Sequence, residues 1–312
     1  MITRISKSIS IILAIVSIVS FSELTLAQQE PMFTQYMFNT VSVNPAYAGT
    51  TNSLNVNMLS RIQWVGMRGA PKTFSLAMHS PVINQNIGVG FTIVSDKIGP
   101  VRNNYFTANY AYRLKLNEDL TLSMGLKGGL NQYYVGLADI YVRDPLDEAF
   151  LSNERRLTPN LGFGFYLYSD KYYVGFSMPK IFQTSVDEQN ITNSDQLKRH
   201  YYIIAGYVWQ LNSEWLFKPS FIAKAVGGAP LSTDITAQFL YRDFIWVGAM
   251  YRLGDAAGIF FNFKISNQLT VGYGYDFSLS RLNSYNRGTH EIMLSFDFEK
   301  LTTGKVKSPR YF

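Results

Sequence analysis

The chain of 312 residues contains no cysteine and only three histidines, His79, His200 and His290. Without cysteine there is no disulfide framework and no thiolate chemistry, and the compartment stays open on that count. Charge is also sparse. Charged residues make up 16% of the chain and the net charge is +6 without any basic run, so no nucleic-acid partner is expected. Beyond residue 27 no segment approaches the roughly 20 consecutive apolar residues that a membrane helix requires. Neither a metal centre nor a cofactor has a recognisable ligand pattern, because no carboxylate cluster accompanies the scattered histidines. Glycine pairs such as Gly88-Val89-Gly90 and Gly272-Tyr273-Gly274 fall inside strand-like segments and form no phosphate loop. A surface Ser–His hydrolase pair fails on parity: His290 and Ser295 lie on one strand an odd number of residues apart, on opposite faces. The chain is read as non-enzymatic, with no cofactor.

Aromatic residues, in contrast, reach 15%, with 21 Tyr and 22 Phe, while mean hydropathy is only −0.02. Amphipathic strands spread along the whole length produce that combination. Leu269–Phe277 (LTVGYGYDF) shows the pattern plainly. Leu269, Val271, Tyr273, Tyr275 and Phe277 share one face, while Thr270, Gly272, Gly274 and Asp276 share the other. Similar alternation recurs in segments that include Val56–Met58, Phe106–Tyr112, Leu122–Leu126, Leu161–Phe165, Trp215–Phe221, Ile259–Ile265 and Ile292–Phe298, giving about 14 strands of roughly 9–11 residues. Every second connection is short and carries Asn, Asp or Ser, as at Asn117-Glu118-Asp119, Asn212-Ser213 and Ser266-Asn267. The intervening ones, including 132–157, 179–198, 225–234 and 278–289, are mostly long and polar. Alternating short and long connections are what outer-membrane barrels show, short in the periplasm and long outside. The small or polar face, with Lys127, Lys218, Lys264, Asp276, Glu291 and Asp297, then faces a lumen. In a soluble sandwich it would face water instead, over a core with an unusually heavy aromatic load.

The chain opens with basic Arg4 and Lys7, an apolar run over Ile9–Phe21 and Thr25-Leu26-Ala27, which reads as a signal peptide over 1–27 cleaved after Ala27. Residues 28–52 form an arm rich in aromatics, Met and Asn without clean periodicity. The barrel is expected over 53–298 and a basic periplasmic tail over 299–312. An even strand number places both termini in the periplasm. The sequon Asn190-Ile191-Thr192 carries little weight in a barrel of the outer-membrane type. A barrel of this size has interior room, since lumen width grows with strand number. Several strand glycines fall on the inward side and leave more. The arm offers Tyr36, Met37, Phe38 and Tyr47 as filler, with Gln35, Asn39 and Asn44 to meet polar lumen groups. Asn44-Pro45 favours an extended approach and Gly49 permits a sharp turn. A lumen plug of Tyr36, Met37, Phe38, Asn39, Asn44, Pro45 and Tyr47 is one expectation; an arm that only docks a periplasmic partner is the other.

The segments FTQYMFN and VNPAYAGT within the arm resemble the opening of the PorP/SprF family of Bacteroidetes outer-membrane proteins, linked to type IX secretion and gliding motility. The likeness continues in RIQWVGMRGAPKTFSL (Arg61–Leu76), YYVGFSMP (Tyr172–Pro179), GYGYDFSLSRLNSYNRGTHEIMLSF (Gly272–Phe296) and the terminal SPRYF. One departure is Thr40, where the family pattern leads one to expect Pro. The resemblance implies an accessory component of type IX secretion that assists export or surface attachment of a partner adhesin, or links to periplasmic machinery. Its partners would be outer-membrane lipid, other secretion components and the adhesin. An outer-membrane channel or transporter for small or hydrophobic ligands is the alternative.

Overall fold

A computed structural model describes residues 30–51, 53–82, 86–138, 152–182 and 198–298. The expected signal peptide, the basic tail and the sequon lie outside the described residues. Strands β1 (Leu54–Ile62), β2 (Lys72–Val82), β3 (Ile87–Ile98), β4 (Val101–Lys115) and β5 (Thr121–Val135) follow one another in antiparallel order. They continue into β6 (Glu154–Tyr168), β7 (Tyr172–Met178), β8 (His200–Tyr207), β9 (Trp209–Gln210) and β10 (Trp215–Val226). The series ends with β11 (Ser232–Tyr241), β12 (Ile245–Arg252), β13 (Ala256–Lys264), β14 (Leu269–Ser278) and β15 (Thr289–Phe298). Both β8 and β9 pair with β10, so they are one strand interrupted at Val208, whose N–H turns to the Lys171 carbonyl. That makes a barrel of 14 strands. It closes where β1 pairs with β15, from Leu54 opposite Phe298 to Ile62 opposite His290. Closure leaves no free sheet edge, the condition for backbone in lipid.

Alternation sets the two surfaces. On β13 Ile259, Phe261 and Phe263 are exposed while Gly258, Phe260 and Asn262 are buried. On β15 Ile292 and Leu294 point out, and Glu291, Met293 and Ser295 point in. The outer surface is thus a continuous apolar belt that includes Phe74, Phe91, Leu126, Phe165, Val174, Ile203, Phe221, Ile235 and Val247. In water such a surface would drive association; against acyl chains it is matched.

The strands differ from the expected length where loops were expected to begin. β4, β5 and β6 each run 15 residues, and β5 and β6 pair as far as Val135 opposite Glu154, inside the stretch read as a loop. The added residues include Tyr133, Tyr134, Arg155 and Arg156, which carry no apolar alternation because that hairpin stands beyond the apolar belt. At the same rim two connections are short: Gly99-Pro100, and Leu253 to Asp255.

Candidate functional site

The longest irregular segment among the described residues is the arm, and its local chemistry explains its path. Tyr36–Phe38 and Pro45–Tyr47 form single 3-10 turns flanking a helical turn at Thr40–Val43. The Thr40 hydroxyl donates back to the Tyr36 and Met37 carbonyls, which joins the first two turns. Asn44 is extended at φ −125° and ψ 112°, as a residue before proline prefers, and its side chain accepts from the Ala46 N–H at 3.0 Å. Gly49 takes φ +73°, the left-handed region that glycine enters without steric cost, and turns the chain toward β1.

From there the arm meets inward-facing groups of strand after strand. Near the rim of short turns, the Gly49 N–H donates to His79 Nδ1 at 3.2 Å and Ser123 Oγ donates to the Ala46 carbonyl at 2.6 Å. Asn44 Nδ2 donates to the Phe165 carbonyl at 3.0 Å, and Ser177 Oγ donates to the Val43 carbonyl at 2.9 Å. Higher up, Lys127 Nζ donates to the Ser42 carbonyl at 2.8 Å, Asn39 Nδ2 to Ser75 Oγ at 2.9 Å, and the Tyr36 hydroxyl to Ser220 Oγ at 3.3 Å. The approach is close because the wall lacks side chains there. A Cβ on Gly88 would overlap the Ala48 carbonyl, and one on Gly125 would overlap the Ala46 backbone.

Toward the opposite rim the contacts become ionic. Arg61 bridges two carboxylates on neighbouring strands, Asp276 at 2.7 Å and Glu291 at 3.0 Å, with all three side chains at most 3% exposed. The backbone N–H groups of Thr34 and Gln35 donate to the two oxygens of Glu291 at 3.0 and 2.8 Å. The Thr34 hydroxyl donates to Asp276 and accepts from Arg61. Glu30 ends the described arm at the long-loop rim, paired with Lys180 at 2.7 Å and accepting from the Tyr202 hydroxyl at 2.6 Å. Burial pushes the Glu30 carboxyl up, but Lys180, His200 and Lys224 outweigh it and hold the group well below the usual carboxylate range. A second buried pair, Arg252 with Asp234, forms two hydrogen bonds of 2.9 and 2.7 Å.

Of the arm residues singled out in the sequence, Tyr36, Met37, Asn39, Asn44, Pro45 and Tyr47 are buried, and Phe38 is half-buried, edge-on to Trp246. Tyr36, Met37 and Tyr47 join Val41, Leu59, Tyr166, Tyr173, Ile204 and Phe260 in one apolar cluster. Sequence reasoning missed Glu30, Thr34 and Arg61. Arg61 was findable: it continues the parity of Asn55 and Asn57 on β1. Lys127, Lys218, Asp276 and Glu291 are buried and inward as expected. The strands begin and end at the short-turn rim, with the start of β1 and the end of β15 there, while Glu30, the first described residue, lies at the opposite rim. The arm ascends the full height of the strands because each of its turns finds polar partners on the wall. His79 lies near the short-turn rim; His200 and His290 begin strands at the other, one facing inward and one bonded outside to the Tyr273 hydroxyl at 2.6 Å. Among the described residues no three His, Asp or Glu side chains are grouped to hold a metal.

Comparison with known proteins agrees with this architecture. The barrel is similar to the Ralstonia pickettii toluene transporter TbuX, with TM-score 0.51 and 11% identity over 83% of this chain and 93% of that one. It is similar to the CymD monoaromatic hydrocarbon channel, with TM-score 0.50 and 11% identity over 88% and 95% of the two chains. The Acinetobacter baumannii outer membrane protein Omp33 aligns with TM-score 0.47 and 12% identity over 80% and 100%. At these identities the likeness is one of fold. No curated protein matches the sequence. The family described as type IX secretion system membrane protein PorP/SprF matches residues 25–296, nearly the whole length over which the strands and arm interlock, and the chain belongs to that family.

Proposed function

We propose that this chain is a non-enzymatic accessory barrel of type IX secretion whose lumen is closed by its own arm. It assists export or surface attachment of a partner adhesin, or ties the outer membrane to periplasmic machinery, without serving as an open diffusion pore. In this reading the long loops face outside and the short turns face the periplasm, as in outer-membrane barrels generally. One observation carries the closure: arm residues are hydrogen-bonded to the inward face from Gly49 beside His79 to Glu30 beside Lys180. A segment bonded to the wall at both rims fills the space that a solute would need.

A channel or carrier for small or hydrophobic ligands is the second reading. It is favoured by a largely apolar cavity between the arm and β3–β5. Removing residues 30–47 while keeping the leader separates the two. The intact protein should show near-zero conductance in planar bilayers, and the deletion should raise it while keeping the heat-modifiable gel mobility of a folded barrel. Unchanged, near-zero conductance from a folded deletion would sink the plug and leave the arm as a docking segment. Affinity capture from outer membranes with mass spectrometry then identifies the secretion partner.

A further inference from the structure

In one sector the outward face of the barrel turns basic toward the long-loop rim. Strand register sets Lys72 on β2 opposite Lys97 on β3, and Lys97 opposite Arg102 on β4. Arg102 in turn stands opposite Tyr134 on β5, and Tyr134 opposite Arg155 on β6. The row lies on the outside of the wall, because each member shares the parity of an exposed apolar residue on its strand: Phe74, Phe91, Phe106, Leu130 or Leu157. The four cations are exposed and Tyr134 is half-buried. Strand length fixes the height of the row. Lys72 and Val82 are the two ends of β2. A strand of that length, tilted as in membrane barrels, climbs about 25 Å, the height of the apolar band. The row therefore marks the upper edge of the belt.

Cations directly opposed on neighbouring strands repel one another and destabilise the pairing. No acid offsets them, since the outward face of β2–β6 carries neither aspartate nor glutamate. Asp96 and Glu154, next in sequence to Lys97 and Arg155, have inward parity, and Asp96 accepts from the Thr73 hydroxyl at 2.5 Å. The rest of the wall is built differently. Arg61, Lys218, Lys224 and Arg252 on β1, β10 and β12 point inward and are buried, while Ile62, Tyr201, Tyr251 and Phe277 hold outward places near the strand tops. Two residues below the basic row, Ser95, Asn104 and Gln132 make a second row that is polar and uncharged, with the Ser95 hydroxyl donating to Asn104 Oδ1 at 2.7 Å. Leu76, Ile93, Phe106 and Leu130 follow in the next row down, where the apolar belt begins.

A wall layered as cations, then neutral hydrogen-bonding groups, then hydrocarbon is complementary to an amphiphile layered as phosphate, then hydroxyl- and amide-bearing sugar, then acyl chains. We infer that β2–β6 form a docking surface for a phosphorylated glycolipid of the outer leaflet, of the lipid A type. Lys72, Lys97, Arg102 and Arg155 hold its phosphates, and the planar fork of each arginine suits a two-point contact with phosphate oxygens. Ser95, Asn104 and Gln132 meet the sugar and its amide linkages, and the acyl chains lie along the belt beneath. The row covers four strand spacings, about 19 Å. That width accommodates a headgroup with more than one anionic group, which a single phospholipid phosphate does not fill. The bound phosphates also relieve the repulsion along the row. The occupant rests on the orientation proposed above, with the long loops outside.

The test is native mass spectrometry of the full mature protein released from dodecyl maltoside. It is titrated with diphosphoryl lipid A, with the same lipid stripped of phosphate, and with phosphatidylglycerol. Diphosphoryl lipid A should stay bound, and the other two should bind at least tenfold more weakly. Lys97→Gln combined with Arg102→Gln should weaken lipid A by about tenfold or more, as two charges at a headgroup imply. Lys115→Gln combined with Lys171→Gln removes the same charge at the short-turn rim and should leave binding unchanged. All four side chains are exposed, so both double variants should fold as the parent does. Stripped lipid or phosphatidylglycerol binding as tightly as lipid A would overturn the glycolipid as occupant. An unchanged affinity in Lys97→Gln/Arg102→Gln, or an equal loss in both double variants, would overturn the site. Orientation is read separately, by labelling Asn283→Cys on intact cells with an impermeant thiol reagent. Labelling only after the outer membrane is opened would overturn lipid A as occupant even where detergent binding holds. Labelling on intact cells with no lipid A bound would overturn the surface itself and leave the orientation standing.

Discussion

Arg61 concentrates the energetics of this barrel in one side chain. It joins β14 through Asp276, β15 through Glu291 and the arm through Thr34, all away from water. An arginine suits the position because its planar fork presents several donors in fixed directions, which a lysine point charge cannot reproduce. Arg61→Met therefore leaves two buried carboxylates side by side, and removing one partner from a buried ion pair costs about 3–5 kcal/mol. The variant should lose its folded, heat-modifiable form at lower temperature or urea concentration than the parent, and Arg61→Lys should recover only part of the difference. An Arg61→Met protein as stable as the parent would show that the cluster contributes nothing. The parity that leads to this residue is interrupted for a physical reason. Reading polar groups as inward follows Asn55 and Asn57 on β1, then halts at Leu59, which is apolar, inward and fully buried. Leu59, Tyr166, Phe260 and Met293 all break the polar-inside pattern. The first three pack in the cluster that contains Tyr36, Met37 and Tyr47, so part of the inner wall is apolar where the arm is apolar.

At the scale of elements, the strands were legible and the arm only partly so. Alternation in Leu269–Phe277 or Ile259–Ile265 reports directly on a two-faced strand, because side-chain direction has period two. The extensions of β5 and β6 past the belt carry no such signal, since both of their faces meet polar surroundings. The arm's filler residues could be named from composition, but its ascent to the far rim could not. That path depends on glycines spaced around the wall on β3 and β5, far apart in sequence, which only the strand register brings beneath Ala46 and Ala48. Gly125→Val should push the arm off the wall, because the new side chain would occupy the Ala46 backbone's place. Gly227→Val is the matched control, with nothing within 4 Å of the added carbon. Both variants should keep heat-modifiable mobility, while only Gly125→Val should raise conductance in planar bilayers. Equal, near-zero conductance from two folded variants would mean that the arm holds its place without that close approach.

For the whole molecule the governing asymmetry is between its two rims. Short turns at Asn117–Asp119, Asn212–Glu214 and Ser266–Gln268 close one end, while the other carries the chain after β7 and the 279–288 connection. Outer-membrane barrels carry short turns on the periplasmic side and longer loops outside. In the proposed orientation Glu30, the first described residue of the arm, would lie at the outer mouth and the end of β15 in the periplasm. A chain without native cysteine allows a clean measurement of this arrangement, since any labelling comes from the introduced thiol. Asn283, Glu118 and Asn267 are all exposed, the first at the long-loop rim and the others in short turns. Asn283→Cys should react with a membrane-impermeant maleimide on intact cells. Glu118→Cys and Asn267→Cys should react only after the outer membrane is opened. The reverse pattern would turn the barrel over, bring Glu30 and the cavity beneath Lys180 to the periplasmic side, and make the short turns the surface available to a secreted partner.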